Sequence, residues 1–337
     1  MRVSILPVFL YPFILGQKVK RSEAMKYTIF LITVFLSLKH GIAQELNGFV
    51  KDKNQKGIPY VNIGIPSKAF GIIADENGAF KLKITSEKET DTLQFTSIGY
   101  YPIVMSVTDL KKLCELNTPV TLTEAVYELH TTTVRPDEYE TKVLGTPSVE
   151  DLECVNLSGL KQKDSASVRR YREKGISEKS AGIEIGNKIS IKKGQQTFLD
   201  KIQFKACLGP QDTAIFRINI YSEGKTVKRV LTPIGMVKVI NSNNELKEPL
   251  IIRSVGKTEV HEIDISKQNI EVNDDFIIAV ECIYASNSQM NIGAKPAMFG
   301  STDLLIRESI MDEWIKVPLV NMTFIAATVT YKKKGKK

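Results

Sequence analysis

From Gly48 to Tyr100, short apolar stretches alternate with turn residues at the spacing of β-strands. Gly48-Phe49-Val50 is followed by Gly57-Ile58-Pro59-Tyr60-Val61-Asn62-Ile63, then Gly71, then Asp75-Glu76-Asn77-Gly78-Ala79-Phe80-Lys81-Leu82. Asp91-Thr92-Leu93-Gln94-Phe95 and Ile98-Gly99-Tyr100 close the series. Runs rich in β-branched and aromatic residues, bounded by Gly, Pro, Asn and Asp, predict strands. Asn77-Gly78 carries the signature of a tight hairpin, because its turn needs φ > 0 and Asn and Gly tolerate that best. Asp52 to Gly57 reads as a polar hairpin loop, and Pro59 as a strand start, where a missing N–H costs little. A short helix over Asp109 to Leu116 and a last strand at Val120 to Leu122 complete this region.

Further along, the period of two returns. Phe216, Ile218 and Ile220 alternate with Arg217, Asn219 and Tyr221, which predicts a half-buried antiparallel strand. Other predicted strands are Ile183–Ile191, Leu199–Ala206, Leu250–Val255, Val260–Ile265, Asp275–Tyr284, Ala297–Phe299, Trp314–Ile315 and Met322–Thr330. Many strands with almost no helical periodicity indicate a sandwich or jelly roll. Between the two regions, Thr131 to Pro136 reads as extended. Residues 150–181 are mostly polar and charged, so they lack the apolar surface to offset ordering entropy. The expected organisation is a sandwich over 44–125, a linker over 126–181 and a second sandwich over 182–331. The linker is either mobile or laid over the second sandwich.

The ends change the picture of charge and address. Met25-Lys26 precedes an apolar run from Tyr27 to Leu38, with small residues at Gly41 and Ala43. A basic start, a short apolar run and a small-x-small exit describe a secretory signal peptide. The run is too short to span a bilayer, which takes about 20 apolar residues. Cleavage is expected after Ala43, so residues 1–43 form the leader and no transmembrane span is expected in the mature chain. Met25 is the expected initiator; the competing reading is one long signal with an extended n-region.

The whole chain has 46 basic and 38 acidic residues, a net +8. Residues 1–43 hold six basic residues and one acidic, and the tail over 332–337 adds five lysines. The folded body is therefore left at about −2. A nucleic-acid footprint needs a concentrated basic face on the domain itself, so no nucleic-acid partner is expected. The basic tail is expected to be solvated, or to touch anionic lipid or polysaccharide.

Candidate chemistry is sparse. Cys114, Cys154, Cys207 and Cys282 are too few and scattered for a disulfide scaffold. Strand phase places Cys282 with Phe276, Ile278 and Val280, but Cys207 with Gln203 and Lys205, so free thiols are expected. A catalytic zinc needs three protein ligands and an open position; His130 and His261 alone remain after the leader, His130 with no Glu at ligand spacing and His261 within Glu259-Val260-His261-Glu262 on an expected surface strand. Gly-x-Ser-x-Gly does not occur. Asn273-Asp274-Asp275 reads as a turn in preference to a calcium site. No cofactor or metal is expected.

Glycoside hydrolysis needs two carboxylates on a cleft, for which Glu281, Glu308 and Asp312 are candidates. Trp314 is the sole Trp. It either packs over a sandwich core or stacks on a sugar or peptide. In the second case Trp314, Arg307, Glu308 and Tyr284 form the candidate ligand-binding set, on loops at one end of a rigid scaffold.

The pattern of Gly48, Val50, Asp52, Gly57 to Ile63, Gly71, Asp75 to Gly78, Phe80, Leu82, Leu93, Phe95 and Ile98-Gly99-Tyr100 resembles the carboxypeptidase-regulatory-like domain common in exported Bacteroidetes proteins. That resemblance implies a transthyretin-like β-sandwich with no catalytic residues to carry over. The second half is similar to the sandwich partner of such proteins at Thr141 to Gly145, Gly182 to Gly186, Phe216 to Tyr221, Asp275-Phe276 and Trp314. The expectation is an all-β, non-catalytic protein of the periplasm, outer-membrane periphery or cell surface. It would act as a structural or adaptor body, or bind a cell-envelope glycan or protein partner. The alternative is a carbohydrate hydrolase with its carboxylates in the second sandwich.

Overall fold

The structure is a computed structural model. It describes residues 44–66, 70–84, 91–126, 139–156, 182–222, 226–232, 235–240, 244–287, 289–297, 303–307, 313–316 and 322–332. His130, Glu308, Asp312 and the leader lie outside them. The fold is all-β.

The first body begins with β1 (Gln44–Lys51), β2 (Asn62–Ile65), β3 (Phe70–Ile73) and β4 (Ala79–Ile84). It continues with β5 (Thr92–Thr96), β6 (Ile103–Ser106), α1 (Val107–Glu115) and β7 (Val120–Thr121). A three-stranded sheet in the order β4-β1-β7 faces a four-stranded sheet in the order β3-β2-β5-β6. Val50, Ile63, Leu82, Leu93 and Phe95, all fully enclosed, fill the space between them. The edge-to-face pair of Phe80 and Phe95, with centroids 6.2 Å apart, crosses it.

Helix α1 starts where Ser106 accepts a hydrogen bond from the Asp109 N–H, satisfying one orphan donor of the first turn. Val107 and Leu110 then turn into the core. Asn77-Gly78 forms the tight turn expected, but it carries the chain from β3 in one sheet to β4 in the other and so makes no hairpin. Gly78 is required there: its φ is +76°, and a Cβ would stand 2.4 Å from the Val50 carbonyl oxygen.

The second body opens with β8 (Tyr139–Gly145), β9 (Glu153–Asn156), β10 (Ile183–Ile189), β11 (Thr197–Ala206) and β12 (Thr213–Ser222). Then come β13 (Thr226–Thr232), β14 (Gly235–Ile240), β15 (Leu250–Val255), β16 (Glu259–Asp264) and β17 (Ile270–Val272). The last are β18 (Phe276–Ala285), β19 (Asn291–Pro296), β20 (Leu304–Arg307), β21 (Trp314–Lys316), β22 (Met322–Thr323) and β23 (Ile325–Lys332). One sheet runs β13-β14-β21-β20-β10-β18-β12-β15. The other runs β22-β19-β11-β23-β8, with β16 and β17 also on β11 and β9 on β19. Alternate residues of facing strands, such as Ile185, Phe216, Ile218 and Val280 against Leu199, Ile202, Phe204 and Val329, form its core.

Strands β8 and β9 fall in the segment read as linker, and of its two alternatives they take the one laid over the second sandwich: each pairs with a strand of the second body as a largely exposed edge strand. Two other expectations change here. Cys154 and Cys207 form a disulfide, while Cys114 and Cys282 are not disulfide-bonded. The strand-phase argument failed because β11 ends at Ala206, so alternation no longer governs Cys207, which is buried. Finally, β12 is buried on both faces instead of one.

Candidate functional site

The outward face of the β12 sheet carries a row of charge. Arg307, Glu184, Glu281 and Arg217 stand directly opposite one another on the neighbouring strands β20, β10, β18 and β12. Arg307 pairs with Glu184 at 2.5 Å, and Arg217 lies 3.5 Å from Glu281. Two carboxylates facing each other in a sheet repel. Here Asn219 donates to both, at 2.7 Å to Glu184 and 3.3 Å to Glu281. Tyr221 donates to Glu184 at 2.9 Å. All these groups are buried. Burial pushes the Glu281 carboxyl above the usual carboxylate range, opposed by Arg217, and pushes the Tyr221 phenol well above its ordinary value.

Two residues of the first body reach this row. Arg217 donates to the Tyr60 carbonyl at 2.5 Å. With its amide turned so that both partners are satisfied, Asn62 donates to Glu281 at 3.2 Å and accepts from Arg217 at 2.5 Å. Tyr60 adopts φ +55°, a left-handed conformation unusual for a bulky residue, and its carbonyl meets the guanidinium from that turn.

Beside this junction lies an open groove with a volume of about 1260 Å³. One side is the open flank of the first sandwich, bordered by strands β3 and β4, each of which ends its sheet. The opposite wall is Ile215, Arg253, Ile283 and Tyr284 of the second body. Phe49 and Tyr284, among its lining residues, are 51% and 48% exposed. Lys81 and Lys83 project from β4, while Asp75 and Glu76 sit in the turn before it. The Asp75 carboxylate is engaged locally, accepting from the N–H groups of Asn77 and Ala79. Burial raises the Tyr60 phenol, with Glu76 acting in the same sense and Arg253 against it.

Of the residues singled out by sequence, Tyr284 lies on this groove. Trp314 and Arg307 do not form an exposed platform: Trp314 is 1% exposed and Arg307 6%. The guanidinium carbon stands 4.4 Å from the Trp314 ring centroid and 4.8 Å from that of Tyr221, a buried cation–π stack. Trp314 occupies the space over Gly186, where a Cβ would come within 3.3 Å of the indole. Glu281 is a member of the charge row and not of a cleft. Asp275 is held by Lys188 at 3.0 Å and accepts from the Ile191 N–H, in keeping with a turn.

His261 bonds to Ser254 through Nε2 and lies 3.6 Å from Glu259 on that same nitrogen. A nucleophilic triad places its carboxylate on the other ring nitrogen, and Ser254 is fully buried. Among the described residues, no three His, Cys, Asp or Glu side chains are grouped to hold a metal, and no helix is long and apolar enough to cross a membrane. The groove's residues were separately visible in the sequence. Their convergence depends on the docking of two bodies, for which no local motif exists.

Residues 46–134 match the family model described as the CarboxypepD_reg-like domain. No curated protein matches the chain. A solved structure of the infectious bursal disease virus Gt strain aligns over 88% of this chain and 57% of its own, at 8% identity and a TM-score of 0.20. A mutant VP2 protein of infectious bursal disease virus, in derived T=1 particles, aligns over 88% and 63%, at 8% identity and a TM-score of 0.15. This chain thus spans less than two thirds of each, and at these TM-scores neither likeness bears on fold or function.

Proposed function

We propose that this protein is a non-catalytic, exported adaptor of the cell envelope that engages a protein or glycan partner through the groove between its two sandwiches. The observation that carries this reading is the groove itself: a large, aromatic-lined concavity beside a buried polar junction that fixes its two walls. Ligand sites favour such concave junctions, with a few polar groups among apolar ones. The Cys154–Cys207 disulfide supports the compartment, since disulfides persist where the surroundings are oxidising. The leader expected over residues 1–43 and the origin of the resembling domain in exported Bacteroidetes proteins support the same address.

The rival reading, a carbohydrate hydrolase, requires two carboxylates on an accessible cleft. Glu184 and Glu281 are instead enclosed and matched by two guanidiniums. The test is photocrosslinking from position 284 of the full chain in envelope preparations, run beside a glycan array. A discrete product or retained glycan, lost on Phe49→Ala/Ile283→Asp, is expected. Silence in both arms, or turnover of a glycan abolished by Glu281→Gln, would reject the adaptor reading.

A further inference from the structure

We propose that the Cys154–Cys207 disulfide is a redox latch: its reduction by a dithiol frees a strap over residues 147–156 from the second sandwich and leaves the sandwich folded. This goes beyond the reading of the groove and does not depend on it.

The strap is weakly tied to the body it lies on. It leaves β8 after Thr146, which is buried and whose N–H donates to the Ile325 carbonyl at 2.9 Å. Strand β8 is itself secured by pairing with β23 along its whole length. Beyond that point, Val149 and Leu152 close on Ala326 and Val260 in a small cluster separate from the main core. Val155 alone of the strap packs, half-buried, against that core. The Lys205 ammonium holds the crossing by donating to the Glu150 and Leu152 carbonyls, each at 2.8 Å. Strand β9 then pairs with β19, with Cys154 opposite Gly293. A Cβ at Gly293 would stand 3.0 Å from the Leu152 Cβ, so the glycine lets the strap lie this close.

Opening such a unit costs one satellite cluster, two bonds from Lys205 and a short ladder, and leaves the packing between the two sheets in place. Units of this kind open at less than the cost of global unfolding. The disulfide is the covalent tie that prevents it, since Cys154 belongs to the strap and Cys207 to the body beneath.

Exposure shows how the tie is undone. Cys154 is exposed, whereas Cys207 is buried. Exposed disulfides are more easily reduced than enclosed ones and serve as the labile, regulatory kind. Access selects the sulfur attacked. A thiolate of the reductant bonds to Cys154 Sγ, the protein S–S bond breaks, and Cys207 leaves as a thiolate. The second thiolate of the reductant then attacks its own sulfur in the mixed disulfide and expels Cys154. Two electrons pass from the dithiol, which is oxidised to a disulfide, and each cysteine thiolate takes up a proton. Release then removes β9 from the β19 backbone over Asn291–Ala294, bares Val260 and Ala326, and returns the Lys205 ammonium to water. A change in the redox state of the surroundings becomes a change in the surface that the protein presents.

The test uses the full native chain, without denaturant, before and after dithiothreitol. Reduction should go to completion in the folded protein. Amide exchange over residues 147–156 and over Asn291–Ala294 should then quicken by roughly tenfold or more. Lys205 should gain reactivity toward a soluble acylating ester. Exchange in β10, β12 and β18 and the emission of Trp314 should stay as they were. A reaction with glutathione, quenched early, should carry the glutathione on Cys154 in preference to Cys207.

A disulfide that resists dithiothreitol until the second sandwich is unfolded would overturn the latch. Complete reduction with unchanged exchange over residues 147–156 would do so too, because the strap would then be held without it. So would exchange rising across β10, β12 and β18 with a shift of the Trp314 emission, which would make the bond a staple of the whole body. Glutathione on Cys207 alone would overturn the attack at the exposed cysteine on which the latch depends.

Discussion

Within the first sandwich, the only buried charged side chain among the described residues is Asp52, and it does local work: one carboxylate oxygen accepts from the N–H groups of Asn54 and Lys56 in the turn after β1. The second sandwich encloses two carboxylates and two guanidiniums on the face of its sheet opposite the core. Both bodies are built on the same alternation of apolar and polar residues. What differs is the fate of the polar face. In the first body, Lys81 and Lys83 of β4 reach solvent while Phe80, Leu82 and Ile84 pack inward. In the second, Arg217, Asn219 and Tyr221 of β12 are as enclosed as Phe216, Ile218 and Ile220. A polar face of this kind serves as a junction, and part of its cover is Tyr60 and Asn62 of the first body.

That contrast is broken most severely at Arg217. Replacing one partner of a buried pair strands the other's charge and costs about 3–5 kcal/mol, whereas replacing both by apolar residues is often close to neutral. Arg217→Met should therefore lower the unfolding free energy by about 3–5 kcal/mol in urea titration. Arg217→Met/Glu281→Leu should recover most of that loss. A double variant as unstable as the single one would mean that the row stabilises the fold by more than mutual neutralisation. Arg217→Met should also speed proteolytic release of the first body, because it removes the donor to the Tyr60 carbonyl.

The disulfide separates the two regions next. Cys154 and Cys207 are 53 residues apart and both lie in the second body. Cross-links of this kind typically contribute about 2–4 kcal/mol. Cys154→Ser/Cys207→Ser, or reductant, should lower the stability of the second sandwich by about that amount. Intrinsic fluorescence reports it cleanly, because the single Trp314 is in that body. The first sandwich, whose Cys114 is free, should respond to neither treatment. Loss of both bodies together in reductant would show that they unfold as one cooperative unit.

Much of this architecture was legible in the sequence, and the reasons for the rest are physical. Strand identity and the inward face follow from local alternation, so β12 and β18 were recognisable from Phe216, Ile218 and Ile220 and from Phe276, Ile278 and Val280. Register is not local. Nothing near Glu281 reveals that Arg217 stands on one side of it and Glu184 on the other, so it stood only as one candidate carboxylate of the alternative hydrolase reading. For Trp314 the sequence left packing and ligand stacking side by side; the structure takes the packing alternative, and the space that encloses it is provided by Gly186 on a strand distant in sequence. Strand β9 was hidden because an edge strand needs little apolar surface of its own, and β8 showed only through the resemblance at Thr141 to Gly145. The groove followed from none of these signals, since it exists only where two separately legible bodies meet.

The smallest expected effect concerns the corner where the second sandwich's two sheets are pinned together. Strand β15 pairs with β12 in one sheet and β16 with β11 in the other. The bond between Ser254 and His261 therefore joins the sheets across the intervening turn. The imidazole also lies over the Phe204 ring, centroids 5.2 Å apart. Burial pushes the His261 pKa down, with Glu259 opposing and Lys257 assisting. A histidine whose pKa is depressed by folding takes up its proton more readily when unfolded, so stability rises with pH where the two states differ in protonation. The contribution is complete above the unfolded value of about 6.5 and is lost as pH falls from there through the lower folded value. Urea midpoints measured between pH 8 and pH 5 should fall on acidification, and more steeply in the native protein than in His261→Gln. Because the first body has no histidine among its described residues, the difference should be confined to the Trp314 signal; equal slopes in the two proteins would rule out His261 as its source.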